Sequence, residues 1–219
     1  MTEREAFRIV QPLLEGYTEG IYWDFKKGLT DEHIPAIIKD ILAFSNSDYN
    51  GDSYIIVGVG ESKDETQRKI PLSTEDRRRL NTDANFIYLP GKWDLCGLSA
   101  DDLGKMKQFS AKLTEKLEMY MLISHPKCEF VPIAISKNRW IYLIVVKKVP
   151  GVFISNRDIE DGYNKSKFVV RQGVLYVRMA DSTMGVKNGV ATATEYIRVW
   201  KNYIDWLEKE KQKCVNWMN

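Results

Sequence analysis

The sequence predicts an α+β fold, a mixed and mostly antiparallel sheet with helices packed on it. Three observations lead there. Helical stripes and strand-like alternation both occur, but without the regular strand–helix–strand order of a parallel α/β sheet. Two neighbouring apolar runs, CEFVPIAI and RWIYLIVVKKV, are separated only by SKNR, a hairpin spacing. The chain has 219 residues, 44% apolar and 28% charged, which is enough to bury a core in one ordinary domain.

The elements follow in order. Thr2 and Glu5 can form a capping box, and Ala6, Ile9, Val10, Leu13 and Leu14 give the first helix its apolar stripe. Gly16 and Gly20 bracket a break. IYWDFKK then alternates, with Ile21, Trp23 and Phe25 on one face and Tyr22, Asp24 and Lys26 on the other, as in a half-buried strand. A second helix is predicted from about Asp31 to Asn46. Thr30 or Asp31 caps it, Pro35 sits in its first turn, and Ile34, Ile37, Ile38, Ile41 and Leu42 face inward. Asn50-Gly51 marks a turn, and SYIIVGVG reads as a central strand because it is apolar on both faces.

Residues 62 to 98 are polar and interrupted by prolines, so they read as a long excursion. Ser99 and Asp102 open another helix, which Leu103, Met106, Leu113, Leu117 and Met121 extend to about residue 122. The hairpin across SKNR follows. A second hairpin is predicted from KFVVR and VLYVR across Gln172-Gly173. A closing helix from about Thr194 to Val215 is expected to turn Ile197, Trp200, Tyr203, Ile204 and Leu207 inward.

Bulk properties exclude several classes. A net charge of +2 leaves any nucleic-acid affinity to local patches. No apolar run approaches the ~18–20 residues of a membrane span. The N-terminus, acidic and amphipathic, lacks the pattern of a secretion signal. Cys96, Cys128 and Cys214 are scattered and suit a reducing, cytoplasmic setting. Two histidines and three cysteines, widely dispersed, give no zinc-ligand spacing, and no serine sits in a G-x-S-x-G elbow.

The glycines of IIVGVGES suggest a phosphate loop, but the context is wrong. A Walker loop needs G-x-x-x-x-G-K-[ST], and a dinucleotide fingerprint needs a third glycine with a helix straight after the turn. Gly60 is followed instead by ESKDETQRKIPLST. Glycines in a strand more often permit a bulge or a close backbone approach.

The motifs Asp24-Phe25-Lys26, Ala43-Phe44-Ser45-Asn46, Ile56-Val57-Gly58-Val59 and Tyr176-Val177-Arg178 followed by Ser182-Thr183 resemble the Schlafen-type domain, also described as AlbA-like or divergent AAA. The resemblance spans about residues 17 to 185, with helices 2–15 and about 194–215 flanking it in one 219-residue domain. It implies a nucleic-acid-processing protein, a divalent-metal-dependent endoribonuclease acting on structured RNA such as tRNA. In that family three carboxylates hold the metal, two of them five residues apart around the first strand. By position these fall on Glu19, Asp24 and Glu61, with Lys26 assisting and Mg²⁺ or Mn²⁺ as the ion. This chain departs from the family at two places: Asp24 stands where the usual residue is glutamate, and Glu61 lies one residue beyond the family position, which Gly60 occupies.

The residues themselves leave alternatives open. Glu19 and Asp24 can meet only if the chain bends at Gly20, which glycine permits. Without that bend, Asp24 and Lys26 are a solvated strand edge and Glu61 is a loop acid. Basic residues that could meet phosphate are Arg77, Arg78 and Arg79 in the excursion, and Lys165, Lys167, Arg171 and Arg178 on the late hairpin, with Lys147 and Lys148 ending a strand. Tyr88 and Trp93 could stack on bases. A second reading is a non-catalytic DNA- or RNA-binding module of a regulator. The aromatic last helix could serve a homodimer or a protein partner.

Overall fold

The computed structural model describes residues 1–16, 19–62, 68–90, 93–181 and 185–217. In chain order the first elements are α1 (Glu3–Leu14), β1 (Trp23–Lys26), α2 (Ile34–Ser45), β2 (Ser53–Val57) and β3 (Val59–Glu61). Next come β4 (Arg68–Pro71), α3 (Thr74–Leu80), β5 (Phe86–Leu89), β6 (Trp93–Leu95) and α4 (Ala100–Tyr120). The remainder are β7 (Cys128–Ser136), β8 (Arg139–Val146), β9 (Ile159–Glu160), β10 (Phe168–Val170), β11 (Tyr176–Asp181), β12 (Gly185–Val190) and α5 (Ala193–Trp217). The class is α+β, with mostly antiparallel pairing.

The main sheet has the order β1-β2-β8-β7. Only β1 and β2 run parallel, and α2 provides the crossover that a parallel pair requires. β2 lies inside the sheet with packed layers on both faces, which is why its side chains are apolar on both faces. Ile55, Val57, Tyr142, Ile144 and Val146 pack against α2 and α4. Phe25, Ile56, Leu143 and Val145, on the opposite face, pack against α1, α3 and the excursion strands. Helix starts follow their sequence signals. Capping boxes close at Thr2–Glu5 and Ser99–Asp102. A single 3₁₀ turn, Asp31–His33, precedes α2.

Gly58 explains the glycine-spaced run. At φ +104° it takes a backbone conformation that side chains disfavour, and a Cβ there would stand 3.2 Å from the Trp140 carbonyl oxygen. The chain changes course at that residue, leaving the main sheet as β2 and pairing with β6 as β3.

Four expectations change. The excursion is not irregular: β4 pairs with β5, β3 pairs with β6, and Leu72, Leu80, Ile87, Leu89, Trp93 and Leu95 are buried. Its strands are three or four residues long, too short for periodicity to declare them. β10 and β11 do not form a hairpin with each other. Gly173, at φ +69°, turns the chain so that β10 joins β9 and β11 joins β12. The Asp24 side of β1 is not half-solvated, because α2 and β11 cover it and Asp24 is only 3% exposed. On α5, Tyr196, Val199 and Tyr203 face the small cluster of Val152, Ile154, Leu175 and Val177. Ile197, Trp200, Ile204 and Leu207, the next stripe around the helix, stay exposed. Among the described residues, no helix is long and apolar enough to cross a membrane.

Candidate functional site

The site grows from the edge strand β1. Gly20 folds back on Trp23, its amide donating to the Trp23 carbonyl at 3.3 Å, and the Trp23 ring fills the space that any side chain at position 20 would need. This tight return brings Glu19 back along the strand, where its Oε1 accepts the Phe25 amide at 2.9 Å. Glu19 and Asp24, five residues apart in sequence, therefore lie side by side.

Asp24 projects toward α2 and is held from two sides. Lys26 Nζ pairs with its Oδ2, and Arg178 Nη2 donates to its Oδ1 at 3.0 Å. The same Arg178 nitrogen donates to the carbonyls of Trp23 at 3.1 Å and Gly20 at 3.3 Å, so one guanidinium clamps the whole turn. Its Nη1 reaches Asn188 Oδ1 at 3.2 Å, and its plane lies 4.8 Å from the centre of the Phe44 ring. Asn188 in turn donates to Asp40 of α2, while Lys26 Nζ lies 3.3 Å from Asp40 Oδ2. Lys26 thus bridges two carboxylates as the resident cation.

Three acids face two bases, and their proton affinities reflect that imbalance. Burial pushes the Glu19 carboxyl up to about 7, the neighbouring Asp24 charge adds to the rise, and the Phe25 amide opposes it. Burial likewise lifts Asp40 to about 6 against the pull of Lys26. Burial alone would raise Asp24, but Lys26 and Arg178 outweigh it and hold that carboxyl below its ordinary value. For Lys26, desolvation is outweighed by Asp40 and Asp24, which keep the ammonium charged. Of the three acids, Glu19 has the proton affinity raised nearest to neutrality, and it lies beside a partly exposed lysine.

Glu61 is carried on β3, which contacts β1. It ends β3, exposed and opposite Trp93, in a separate two-stranded sheet that passes beside Lys27 beyond the end of β1. Among the described residues, no group of three or more His, Cys, Asp or Glu side chains stands ready to hold a metal ion. Divalent cations such as Mg²⁺ need free carboxylate oxygens. As arranged, Lys26 and Arg178 occupy the Asp24 oxygens that a metal would share.

The basic candidates divide. Arg178 is 9% exposed, with both terminal nitrogens bonded within the cluster and its buried Nε left without a partner, so it is not on an open surface that could meet phosphate. Arg79 ties α3 to Glu3 and Asp76, and Arg77 bonds Asn85 Oδ1 at 2.7 Å, leaving Arg78 as the exposed member of the run. Lys165 and Lys167 are exposed beside β10, while Arg171 pairs with Asp158 at 3.1 Å. The β9–β10 pair packs on the α2 side of the main sheet, the side of the acidic cluster, whereas α3 packs on the opposite side. Tyr88 is exposed with Lys69 over its ring, but Trp93 is buried against Phe25 and presents no face for stacking. Ser182 and Thr183 lie outside the described residues.

Sequence reasoning missed Asp40, Asn188 and the work of Asn46. Asn46 Nδ2 donates to the carbonyls of Phe153 at 2.8 Å and Tyr176 at 3.1 Å, and its Oδ1 accepts the Phe153 amide at 3.1 Å. Asp40 did carry a signal: it is an acid inside IPAIIKDILAF, a helix apolar almost all round. Asn188, in GVKNGV, carried none. Among known proteins, no family model matches the chain and no curated protein matches it significantly.

Proposed function

We propose that the chain is a Schlafen-like nucleic-acid-processing protein, an endoribonuclease acting on structured RNA such as tRNA, with Glu19, Asp24 and Lys26 at its working centre. The observation that supports this reading is the Glu19–Asp24 pair. A partly exposed carboxyl that exchanges its proton near neutrality, next to a fixed ammonium, has the properties a general acid–base centre needs. In this role ionised Glu19 takes the proton of a ribose 2′-hydroxyl, whose oxygen bonds to the adjacent phosphorus as the P–O5′ bond breaks and the 5′-oxygen leaves with a proton from water, while Lys26 stabilises the charge that grows on the phosphate. Asp24, Asp40 and Arg178 position these two groups. The exposed Lys165 and Lys167, on the same side of the sheet, would hold flanking phosphates.

Mg²⁺ or Mn²⁺ belongs to this reading through the family resemblance alone, and no step is drawn through it. Cleavage of labelled tRNA, single-stranded RNA and duplex DNA, each with Mn²⁺ or with EDTA, tests both points. RNA should be cut and DNA spared, since DNA lacks the 2′-hydroxyl, and Glu19→Gln should abolish cutting. Cleavage equally strong in Glu19→Gln would reject the centre. Glu61→Gln decides on the third acid: a loss as deep as that of Glu19→Gln brings it in, and near-normal activity leaves two carboxylates.

A second reading is favoured by the saturation of Asp24. With both oxygens paired and Arg178 buried, the cluster also suits a non-catalytic DNA- or RNA-binding module whose acids only brace β1. Binding of nucleic acid without cutting, in wild type and variants alike, would select it. The homodimer or protein partner belongs to α5, where Ile197, Trp200, Ile204 and Leu207 follow a three-and-four spacing along an exposed face. Sedimentation of Ile204→Glu beside wild type tests it, a shift to monomer supporting the surface and no change removing it.

A further inference from the structure

At the C-terminal end of α2, about 8 Å along the helix from Asp40 by its rise per residue, the surface forms a half-open cavity of about 330 Å³. It lies between the α2 end, the segment after β8, and α5. That volume falls in the range of small-molecule sites.

Its polar wall carries two cations and two buried hydroxyls. The Ser45 and Ser47 residues are 7% and 6% exposed, and neither hydroxyl has a hydrogen-bond partner. Buried hydroxyls without partners are uncommon and costly. Lys148 donates to the Ser47 carbonyl at 2.7 Å, a bond that caps the helix end but uses one of its three N–H groups. Among the described residues no carboxylate pairs with it. Arg198 stands beside it, bonded to the Asn46 carbonyl at 3.3 Å and paired with Asp48, whose side chain is 74% exposed. An exposed pair of that kind is weak and readily exchanged. Burial, first, and the Arg198 charge lower the proton affinity of Lys148, and the Asp48 charge only partly opposes them. Further along α5 from Arg198 the lining is aromatic: Tyr203 and Trp206 stack with centroids 5.9 Å apart and planes 14° from parallel.

We propose that this cavity binds a nucleotide through its phosphate, with Lys148, Arg198 and the Ser45 and Ser47 hydroxyls on the phosphate and Trp206 against the base. Cation-rich donors at one end and a π-face at the other match the two halves of a phosphorylated nucleoside. The ligand is a free nucleotide or the phosphorylated end of an RNA strand. The inference does not rest on the cleavage reading, since none of its residues belongs to the Glu19–Asp24 cluster.

Calorimetric titration at low salt tests it with adenosine 5′-monophosphate, adenosine, and RNA octamers carrying a 5′-phosphate or a 5′-hydroxyl. Adenosine monophosphate should bind, and adenosine should bind at least about tenfold more weakly. Lys148→Gln should weaken the monophosphate by a similar factor. So should Asn202→Asp, which places a negative charge on the cavity wall at an exposed position where folding is not at stake. Glu19→Gln should bind as wild type does. Preference for the 5′-phosphorylated octamer assigns the site to RNA ends, and binding of the monophosphate alone assigns it to free nucleotides. No binding of the monophosphate, or binding indifferent to both Lys148→Gln and Asn202→Asp, overturns the proposal.

Discussion

Replacing Glu19 by glutamine should make the protein more stable at high pH and leave it unchanged at low pH. The glutamine is the shape of the protonated acid: its oxygen can still accept the Phe25 amide, and its amide can donate to Asp24. The carboxyl rises from 4.5 to about 7 on folding, so the native state holds a proton that the unfolded chain releases between those values. Stability therefore falls as pH climbs through that window. At about 1.36 kcal/mol per tenfold change in proton affinity, the full rise would cost roughly 3 kcal/mol above pH 7. Glu19 is partly open to water, and screening brings this to about 1–2 kcal/mol. Asp40, also raised, gives a similar slope, and Asp24, lowered, gives the opposite one, so only the difference between variant and wild type isolates Glu19. Thermal melts at pH 5 and pH 8 supply that difference. For a chain of this size, Glu19→Gln should melt about 3–6 °C above wild type at pH 8 and above it by about half that margin at pH 5. A variant less stable at both pH values, or a gap that does not change with pH, would refute the buried-pair account.

Other expectations follow from the same geometry. Arg178→Met strips Asp24 of a buried partner and frees the Gly20 and Trp23 carbonyls, which should cost about 3–5 kcal/mol in urea unfolding; a loss below about 1 kcal/mol would mean that Lys26 suffices. Asn46→Ala removes three buried hydrogen bonds and should destabilise by roughly 2–4 kcal/mol, read by the same unfolding midpoints. Gly58→Ala forces a side chain into a left-handed conformation against the Trp140 carbonyl and should cost about 1–3 kcal/mol, where an unchanged midpoint would contradict the turn described.

Much of this architecture was legible in the chain. Thr2–Glu5 and Ser99–Asp102 announced their helices, and the apolar run Ser53–Val57 declared a strand covered on both faces, because local hydrogen bonding and periodicity write those features directly. The pairing of strands was not legible in the same way. Val59 pairs with Leu95, far along the chain, and nothing local in GVKNGV marks a partner for Tyr176–Asp181. The site divided along the same line. Glu19, Asp24 and Lys26 are close in sequence, and Gly20 hinted at the turn that unites them. Arg178 was visible as a basic residue, but its burial depended on β11 crossing α2, which no short stretch encodes. Glu61 was suggested by position along the chain, and the change of course at Gly58, which no local pattern announces, sets it on a second sheet beside β1.

The most direct test of the Glu19–Asp24–Lys26 centre is the rate of tRNA cleavage across pH 5 to 8.5 by wild type and Glu19→Gln. The account predicts a wild-type rate that rises through an inflection near pH 7 as Glu19 ionises, and a variant slower by about a hundredfold or more with that inflection gone. A Glu19→Gln enzyme that cuts at the wild-type rate, with the same pH profile, would contradict it.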